Sequence, residues 1–401
     1  MSSKKTLAFY SLLLFAMCSS AQVTDKDKAS TVKTISANEI SKLPFSRGMN
    51  NFTIQQNFGY STSKPENSDD HTRNLDLNLD YNRYIVDGFA LGAQLDLSSV
   101  KTETSTDITT STDVILYGNA IYGHTFNSGL NLYGKASVGF GDSKTTYTNY
   151  PTDDGELFGY KFEIGSPIHL LDGGGNYITP FINYNFLQEK ADGDIYKANA
   201  FGFGFRFENY SPCSGYQCDC KKGRRFSTNM YEQGRSFIGY TSMGDYVFGN
   251  AKSEPGNYET DVSGGSLNFE YGYYVTKGIA LGAGLSWSGS SEKDDYGKTT
   301  NSAMSFRPMI TLNAPTKDCI ENLFLQVGYG FGFDKTKTGS TETKYNTSDL
   351  HVNLGFNHYF GKYLAFTPKL GHQWETFKNP DTEQKSKQSG FEFGFGCSLH
   401  F

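Results

Sequence analysis

The sequence has too few apolar residues for a bundle of membrane-spanning helices. Only 37 % of its 401 residues are apolar, and the mean hydropathy is -0.50, so a set of long apolar helices is excluded. Basic residues are outnumbered by acidic ones, since the sequence has 36 Lys and Arg and 42 Asp and Glu. With no basic stripe, this balance argues against nucleic-acid binding. The sequence also lacks a phosphate-binding glycine loop and a calcium-binding loop.

Aromatic residues and glycine are abundant instead. The chain contains 27 Tyr, 32 Phe and 44 Gly. Disordered chains are poor in aromatic residues, so a folded protein is expected. A membrane β-barrel has a low mean hydropathy, because only every second strand residue faces lipid. The composition therefore leaves two classes of protein, a large soluble all-β protein and a membrane β-barrel.

The N-terminal residues have the parts of an export signal. Two lysines precede the apolar run 6–17, which is too short to span a bilayer as a stable helix. The small residues Ser19 and Ala21 predict cleavage between Ala21 and Gln22, so the mature chain is expected to be exported. Cys18 leaves lipoprotein processing open as an alternative.

The remaining sequence contains two similar halves. Residues 76–98 and 266–288 align without gaps at an offset of 190, with 11 of 23 positions identical. Both halves end in alternating phenylalanines, and the offset stays close to 190 between them. A tandem duplication accounts for this better than chance does, and such self-similarity predicts a repeated structural unit.

Alternation with a period of two predicts eight strands in each half. In 74–81 and in 325–334, apolar residues alternate with polar residues or glycine. Short turns alternate with long polar segments, which are predicted to be loops; they include 100–111, 142–155, 289–301 and 335–346. Sorting of loop lengths by side is typical of a membrane barrel.

Aromatic residues cluster towards the ends of the predicted strands. They include Tyr84, Tyr122, Phe140, Tyr274 and Tyr359. Membrane barrels carry aromatic girdles at both interfaces, so these side chains are predicted to face the lipid there.

The last predicted strand ends in Phe401, preceded at alternate positions by Leu399, Phe395 and Phe393. This pattern resembles the C-terminal assembly signal of the small outer-membrane β-barrel superfamily of Gram-negative bacteria, which includes porin-like and OmpA-like barrels. The resemblance implies an all-β antiparallel transmembrane barrel in the outer membrane. It also implies contacts with outer-membrane lipids and recognition by the barrel-assembly machinery.

Two closures of the barrel fit the pattern. We expect two tandem eight-stranded units, with one sixteen-stranded barrel as the alternative. The inward charges are nearly balanced within each half, and charges buried in a narrow lumen must be paired. The predicted inward charges are Asp76, Asp80, Asp96, Lys135, Lys161, Glu163 and Arg206 in the first half, and Glu270, Arg307, Asp334, His351, Lys369, Glu375, Glu392 and His400 in the second.

The expected organisation is a signal peptide at 1–21, a polar periplasmic segment at 22–48, a first β-barrel repeat at 49–207, a Cys-containing periplasmic linker at 208–234 and a second β-barrel repeat at 235–401. The linker holds Cys213, Cys218 and Cys220, and Cys319 lies in a turn expected on the same side. An oxidising compartment favours disulfides among these four cysteines over a metal site.

The sequence says less about function than about location. His358 and His372 fall on neighbouring predicted strands, but no serine and acid accompany them in a catalytic arrangement. We therefore expect no catalysis and no cofactor, with a lipid-modifying outer-membrane enzyme as a remote alternative. The main expectation is a structural or surface-interaction role through the external loops. The alternative is a porin or narrow channel for small polar solutes, and no external ligand can be named.

Overall fold

The computed structural model describes residues 44–54, 59–65, 70–169, 176–191, 193–212, 231–254, 258–294, 297–315, 321–359 and 364–400. These residues form β-strands with the following bounds: β1 Met49–Ile54, β2 Gly59–Pro65, β3 His71–Val86, β4 Phe89–Glu103, β5 Ile108–Thr125, β6 Asn131–Tyr147, β7 Asp153–Gly165, β8 Ile168–His169, β9 Asn176–Ala191, β10 Asp194–Pro212, β11 Ser236–Glu254, β12 Tyr258–Thr276, β13 Ile279–Asp294, β14 Gly297–Pro315, β15 Glu321–Thr338, β16 Thr341–Tyr359, β17 Leu364–Lys378 and β18 Lys385–His400. Within the described ranges, no helix has the length and apolar character needed to cross a membrane.

Apolar side chains face outward from the sheet and polar side chains face inward. In β6, Leu132 and Val138 are exposed by 40 % and 50 %, whereas Tyr133, Lys135 and Ser137 are exposed by only 3 %, 6 % and 3 %. This order reverses that of a soluble protein and is the arrangement of a barrel surrounded by lipid. The choice between a soluble and a membrane β protein is thus decided by which side chains line the interior.

The strands close into one ring of sixteen antiparallel crossings. β1 and β2 both pair with β3 and form two parts of one crossing, and β8 has only two residues. The two halves are joined where β10 pairs with β11 and where β18 pairs with β2, for example at Phe201 opposite Phe248 and at Glu392 opposite Ser61. The prediction of two separate eight-stranded units is therefore wrong, and the sixteen-stranded alternative is confirmed.

Two further strand pairings divide the interior of the ring at one end. The turn end is defined here by the hairpin turns 86–89 and 276–279, and the loop end lies opposite. Near the turn end β1 pairs with β10, and β11 pairs with β18 at Phe237 opposite His400. β11 pairs with β18 over 237–240 and with β10 over 245–254. Between these two stretches, from Gly239 to Asp245, its register with β12 shifts. These pairings divide the interior near the turn end into a first-half lumen and a second-half lumen.

Both closures satisfy the same alternation, so alternation does not distinguish between them, and the charge balance within each half favoured the wrong one. An inward residue stays inward whether its strand pairs with a strand of its own half or of the other half, because side-chain orientation depends only on the period of two. The pairings of β10 with β11 and of β18 with β2 depend on contacts between residues far apart in the sequence. Local periodicity does not encode such contacts.

Most of the segments predicted to be long loops are continuations of paired strands. In 335–346, β15 and β16 stay paired as far as Thr338 opposite Thr341. In 289–301, β13 and β14 stay paired as far as Asp294 opposite Gly297. Both faces of such an extension meet water, so the apolar alternation that reveals a strand is lost. The hairpins therefore project well beyond the apolar band at the loop end.

Candidate functional site: two filled lumens

An aromatic cluster fills the first-half lumen at the turn end. Phe45, Tyr84, Tyr133, Tyr177 and Tyr210 are each exposed by 5 % or less. The ring of Phe45 lies 5.8 Å from that of Tyr84 and 6.1 Å from that of Tyr210. Phe45 belongs to the segment predicted to be polar, 22–48, and its apolar ring gains more by burial in the lumen than by contact with water. We call these five residues the first plug.

A buried charge cluster lies directly against the first plug. Arg206 donates to the two carboxylate oxygens of Glu163 at 2.6 and 2.5 Å, and to Glu208 at 2.8 Å. Tyr133 donates to Glu163 at 2.7 Å, and Thr179 donates to Glu208 at 2.6 Å. Each buried carboxylate thus accepts from Arg206 and from a neutral donor, which is the condition for holding ions away from water. We call these five residues the Arg206 cage.

The remaining first-half interior is also occupied by side chains. Lys135 forms an ion pair with Asp80 at 2.5 Å, and Lys161 forms one with Asp96 at 2.5 Å. Towards the loop end an apolar layer crosses the lumen; it consists of Ile115, Tyr117, Leu157 and the partly buried Leu187. Aromatic, charged and apolar layers therefore fill the first-half lumen in succession.

A second aromatic cluster fills the second-half lumen at the turn end. Its members Tyr231, Phe237, Tyr274, Tyr359 and His400 are exposed by 6 % or less. Tyr231 donates to the hydroxyl of Tyr359 at 2.5 Å, and its ring lies 5.7 Å from the rings of Tyr274 and His400. The ring of Phe237 stacks on His400 at 5.5 Å. We call these five residues the second plug.

The two plugs are held by the same backbone contacts. The carbonyl oxygen of Phe45 accepts from Gly88 at 2.8 Å, and that of Tyr231 accepts from Gly278 at 2.8 Å. Three residues after Phe45, the backbone N–H of Gly48 donates to the carbonyl oxygen of Tyr84 at 2.8 Å. Three residues after Tyr231, the backbone N–H of Gly234 donates to the carbonyl oxygen of Tyr274 at 2.9 Å. These two glycines have φ values of 83° and 92°, which other residues rarely adopt. Each half thus inserts an aromatic residue by an equivalent turn.

Two ion pairs and one histidine–carboxylate contact lie above the second plug. Lys369 and Glu270 are 3.4 Å apart, Arg307 and Asp349 are 2.9 Å apart, and His351 and Glu392 are 3.0 Å apart. All of them join residues of the second half, as those of the Arg206 cage join residues of the first. The predicted pairing of inward charges within each half is therefore confirmed for these residues, although the ring is single.

Three tyrosines predicted to lie in the lipid-facing girdles lie in the plugs instead. Tyr84, Tyr274 and Tyr359 are exposed by only 1 %, 0 % and 3 %, whereas Tyr122 and Phe140 are each exposed by 65 %, as predicted. The sequence contained a signal for the inward position of Tyr84. Tyr84 lies four residues after the inward Asp80, and an even separation along a strand puts both side chains on one face.

Several predicted sites lie outside the described residues. They are the cleavage site Ala21 and Gln22, the cysteines Cys213, Cys218, Cys220 and Cys319, and the terminal Phe401. The backbones of Phe395 and Leu399 belong to β18, and their side chains are not described. Phe393 is exposed by 37 % on the outer face, where an assembly signal would need an apolar side chain.

The two histidines considered for catalysis lie on the outer face. His372 packs between Trp374 and Phe391, with ring centroids 4.1 and 4.3 Å apart. His358 lies opposite Phe366, on the same face as His372. Within the described ranges, no group of three or more His, Cys, Asp or Glu side chains could hold a metal ion.

Lysine–glutamate ion pairs lie on the extended hairpins at the loop end. A hydrogen bond from Lys335 lowers the pKa of Glu342, and hydrogen bonds from Lys252 and Asn250 lower the pKa of Glu259. The side chains of Glu342 and Glu259 are exposed by 45 % and 50 %, so water and salt screen the pairs. The loop end is therefore a hydrated surface with charges of both signs.

The second half matches a known protein family. Residues 233–401 match the family model described as outer membrane protein beta-barrel domain. The matched segment begins inside the turn that carries Tyr231 and takes in β11 to β18. Residues 233–401 are therefore similar to an outer-membrane β-barrel domain, and the inward-polar, outward-apolar ring agrees with that similarity. A search of curated proteins found no match.

Solved outer-membrane barrels resemble the chain weakly. CdiB from Acinetobacter baumannii is 10 % identical with a TM-score of 0.34, over 88 % of this chain and 60 % of that one. The translocator domain of autotransporter NalP from Neisseria meningitidis is 10 % identical with a TM-score of 0.25, over 99 % and 97 %. Pseudomonas aeruginosa OpdQ is 12 % identical with a TM-score of 0.30, over 88 % and 98 %. Scores this low carry no functional information.

Proposed function

We propose that the protein is a non-catalytic barrel of the outer membrane with a structural or surface-interaction role, sealed at its periplasmic end. One observation carries this proposal. Both lumens are filled at the turn end by side chains that are buried from bulk solvent, among them Tyr84, Arg206, Tyr274 and His400. Short turns lie on the periplasmic side of outer-membrane barrels, so the seal would face the periplasm.

The loop end is the proposed contact surface. Its hairpins extend far beyond the apolar band and carry exposed Lys, Glu, Ser and Thr side chains, as in 335–346. Loops and hairpin tips on a rigid barrel are suited to contact with external partners. The chemistry of these tips is mixed in charge, so it selects no single class of ligand.

A narrow channel for small polar solutes is the second candidate. It is favoured by the sixteen-stranded ring, since rings of this size leave an aqueous channel in porins. In this protein the two pairings at the turn end and the two plugs would have to yield before solutes could pass. A lipid-modifying activity has no support from the two outward histidines.

We further propose that the chain is a tandem duplication exported by a cleaved signal peptide, assembled by the barrel-assembly machinery of a Gram-negative bacterium and surrounded by outer-membrane lipids. The equivalent turns at Phe45 and Tyr231 and the shared offset near 190 support the duplication. The short apolar run 6–17 supports export.

Planar-bilayer recording tests the main proposal. Purified full-length barrel inserted into a bilayer is expected to give no steady ion current. A steady current from the wild-type protein would contradict the sealed barrel and favour the channel. A porin of known conductance, purified in the same detergent, is the positive control for insertion.

A further inference from the structure

A small cavity lies in the second-half lumen, where the second plug meets the Lys369–Glu270 pair. Its volume is about 40 Å³. Tyr274 and His400 of the second plug form its floor, and Gln326, Lys369 and Asn313 belong to its walls.

The same place in the first half is filled by Arg206. On β10, Arg206 lies opposite Thr179, and on β18, Gly396 lies opposite Thr367. Each threonine is followed by a proline, so the two positions correspond, and Gly396 is among the residues lining the cavity. The space that a guanidinium group occupies in the first half has no side chain of that size in the second.

The partners of the missing guanidinium are replaced as well. Glu163 corresponds to Asn353 at an offset of 190, and Glu208 corresponds to Ser398 at the same offset. Tyr133 corresponds to Phe324, since each lies opposite a glycine, Gly165 and Gly355. The arginine and both of its carboxylates are therefore absent together, and the cavity keeps no unpaired charge that would call for a cation. The nearby Glu270 is paired with Lys369 at 3.4 Å.

Three polar atoms of the lining residues have no hydrogen-bond partner among the described residues. They are the hydroxyl of Tyr274, the side-chain nitrogen Nδ2 of Asn313 and Nδ1 of His400. Tyr274 and His400 are exposed by 0 % and 1 %. A buried polar atom without a partner costs free energy that a bound water recovers.

We propose that this cavity binds a cluster of about three water molecules, given that one water needs roughly 10–15 Å³ of such space. The waters hydrogen-bond to Tyr274, Asn313 and His400 and link the second plug to the Lys369–Glu270 pair. An apolar occupant is disfavoured, because it would leave these three polar atoms without a hydrogen-bond partner. The second-half interior is thus hydrated where the first is packed with protein. This inference does not rest on whether the barrel conducts.

A crystal structure of the full-length barrel at high resolution tests the proposal. Density for water is expected within roughly 2.7–3.2 Å of the Tyr274 hydroxyl, Asn313 Nδ2 and His400 Nδ1. An empty cavity, a detergent chain in it, or an ion with shorter coordination distances would each overturn the proposal.

A matched pair of variants gives an independent test. Tyr84 and Tyr274 are 190 residues apart, both are buried, and both hydroxyls lack a partner among the described residues. Tyr84, however, sits among the rings of the first plug. Tyr274→Phe is expected to lose one water and to lower the folded-to-unfolded ratio about fivefold more than Tyr84→Phe. Equal effects would overturn the proposal, and the wild-type crystal structure decides it if Tyr274→Phe does not fold.

Discussion

The guanidinium of Arg206 on β10 binds both carboxylate oxygens of Glu163 on β7, at 2.6 and 2.5 Å, with β9 lying between the two strands. This contact bridges β7 and β10 across β9 from inside the lumen. It also makes Arg206 the cation on which two buried carboxylates depend.

Arg206→Met should strongly destabilise the barrel. The change leaves Glu163 and Glu208 buried without their arginine, and removing one partner of a buried pair costs about 3–5 kcal/mol. The free energy of unfolding in urea, for barrels refolded into lipid vesicles, measures this. The control is Lys335→Met, which removes a half-exposed pair with Glu342 and should cost less than about 1 kcal/mol. Similar losses from both variants would show that the Arg206 cage does not stabilise the fold.

Gly165→Ala should disturb the same cage through Tyr133. A Cβ atom at Gly165 would lie 2.5 Å from the Tyr133 hydroxyl and 2.6 Å from its ring, and that hydroxyl donates to Glu163. Overpacking of this kind costs about 1–3 kcal/mol. Gly134→Ala is the matched control, because a Cβ there meets no atom within 4 Å. Urea unfolding compares the two, and an equally small effect at both positions would contradict the prediction.

The two plugs should differ in how well they seal. Tyr231→Ala removes a ring from the second plug, next to the cavity, and should allow small ion currents through the second half. Phe45→Ala should remain closed, because the Arg206 cage and the apolar layer at Tyr117 still block the first half. Planar-bilayer recordings of both variants and the wild type measure this difference. Currents through Phe45→Ala alone would reverse the assignment.

The C-terminal aromatic residue should matter for assembly rather than for local packing. Deleting Phe401 should block insertion and cause periplasmic aggregation, since unpaired alternating strands expose edges that associate. Phe207→Ala, at the last of the alternating phenylalanines of the first half, should cost a few kcal/mol in packing while insertion persists. Membrane fractionation of both variants is the measurement. Equal assembly defects would suggest that each half is recognised separately.

Processing and insertion can be checked on the wild-type protein. Mass spectrometry should find a mature N-terminus at Gln22, and the protein should fractionate with the outer membrane and migrate faster on SDS gels before boiling than after. Diacylglycerol on Cys18 would support the lipoprotein alternative instead. A soluble periplasmic protein with no heat-dependent mobility would contradict the export and insertion scheme.

The sequence predicted the orientation of many side chains because orientation is a local property. Lys135, Glu163 and Arg206 alternate with apolar neighbours, so their inward position followed from the period of two. Tyr84 and Tyr274 followed the same rule but were assigned to the girdles from residue type alone. Phe45 lay in a segment without alternation, so nothing in its neighbourhood indicated a buried ring.

By itself, the sequence determined that this chain forms antiparallel strands with an apolar outer face and a charge-balanced interior, because alternation and composition are written along the chain. Only the tertiary structure decided the closure. β10 pairs with β11 at Phe201 and Phe248, and β1 pairs with β10 near Met49, in one molecule. Such partner choices depend on contacts between residues far apart in sequence, and the same alternation satisfies each of them. The plugs were decided in the same way, since Phe45 and Tyr231 find their lumens only once the surrounding strands have closed.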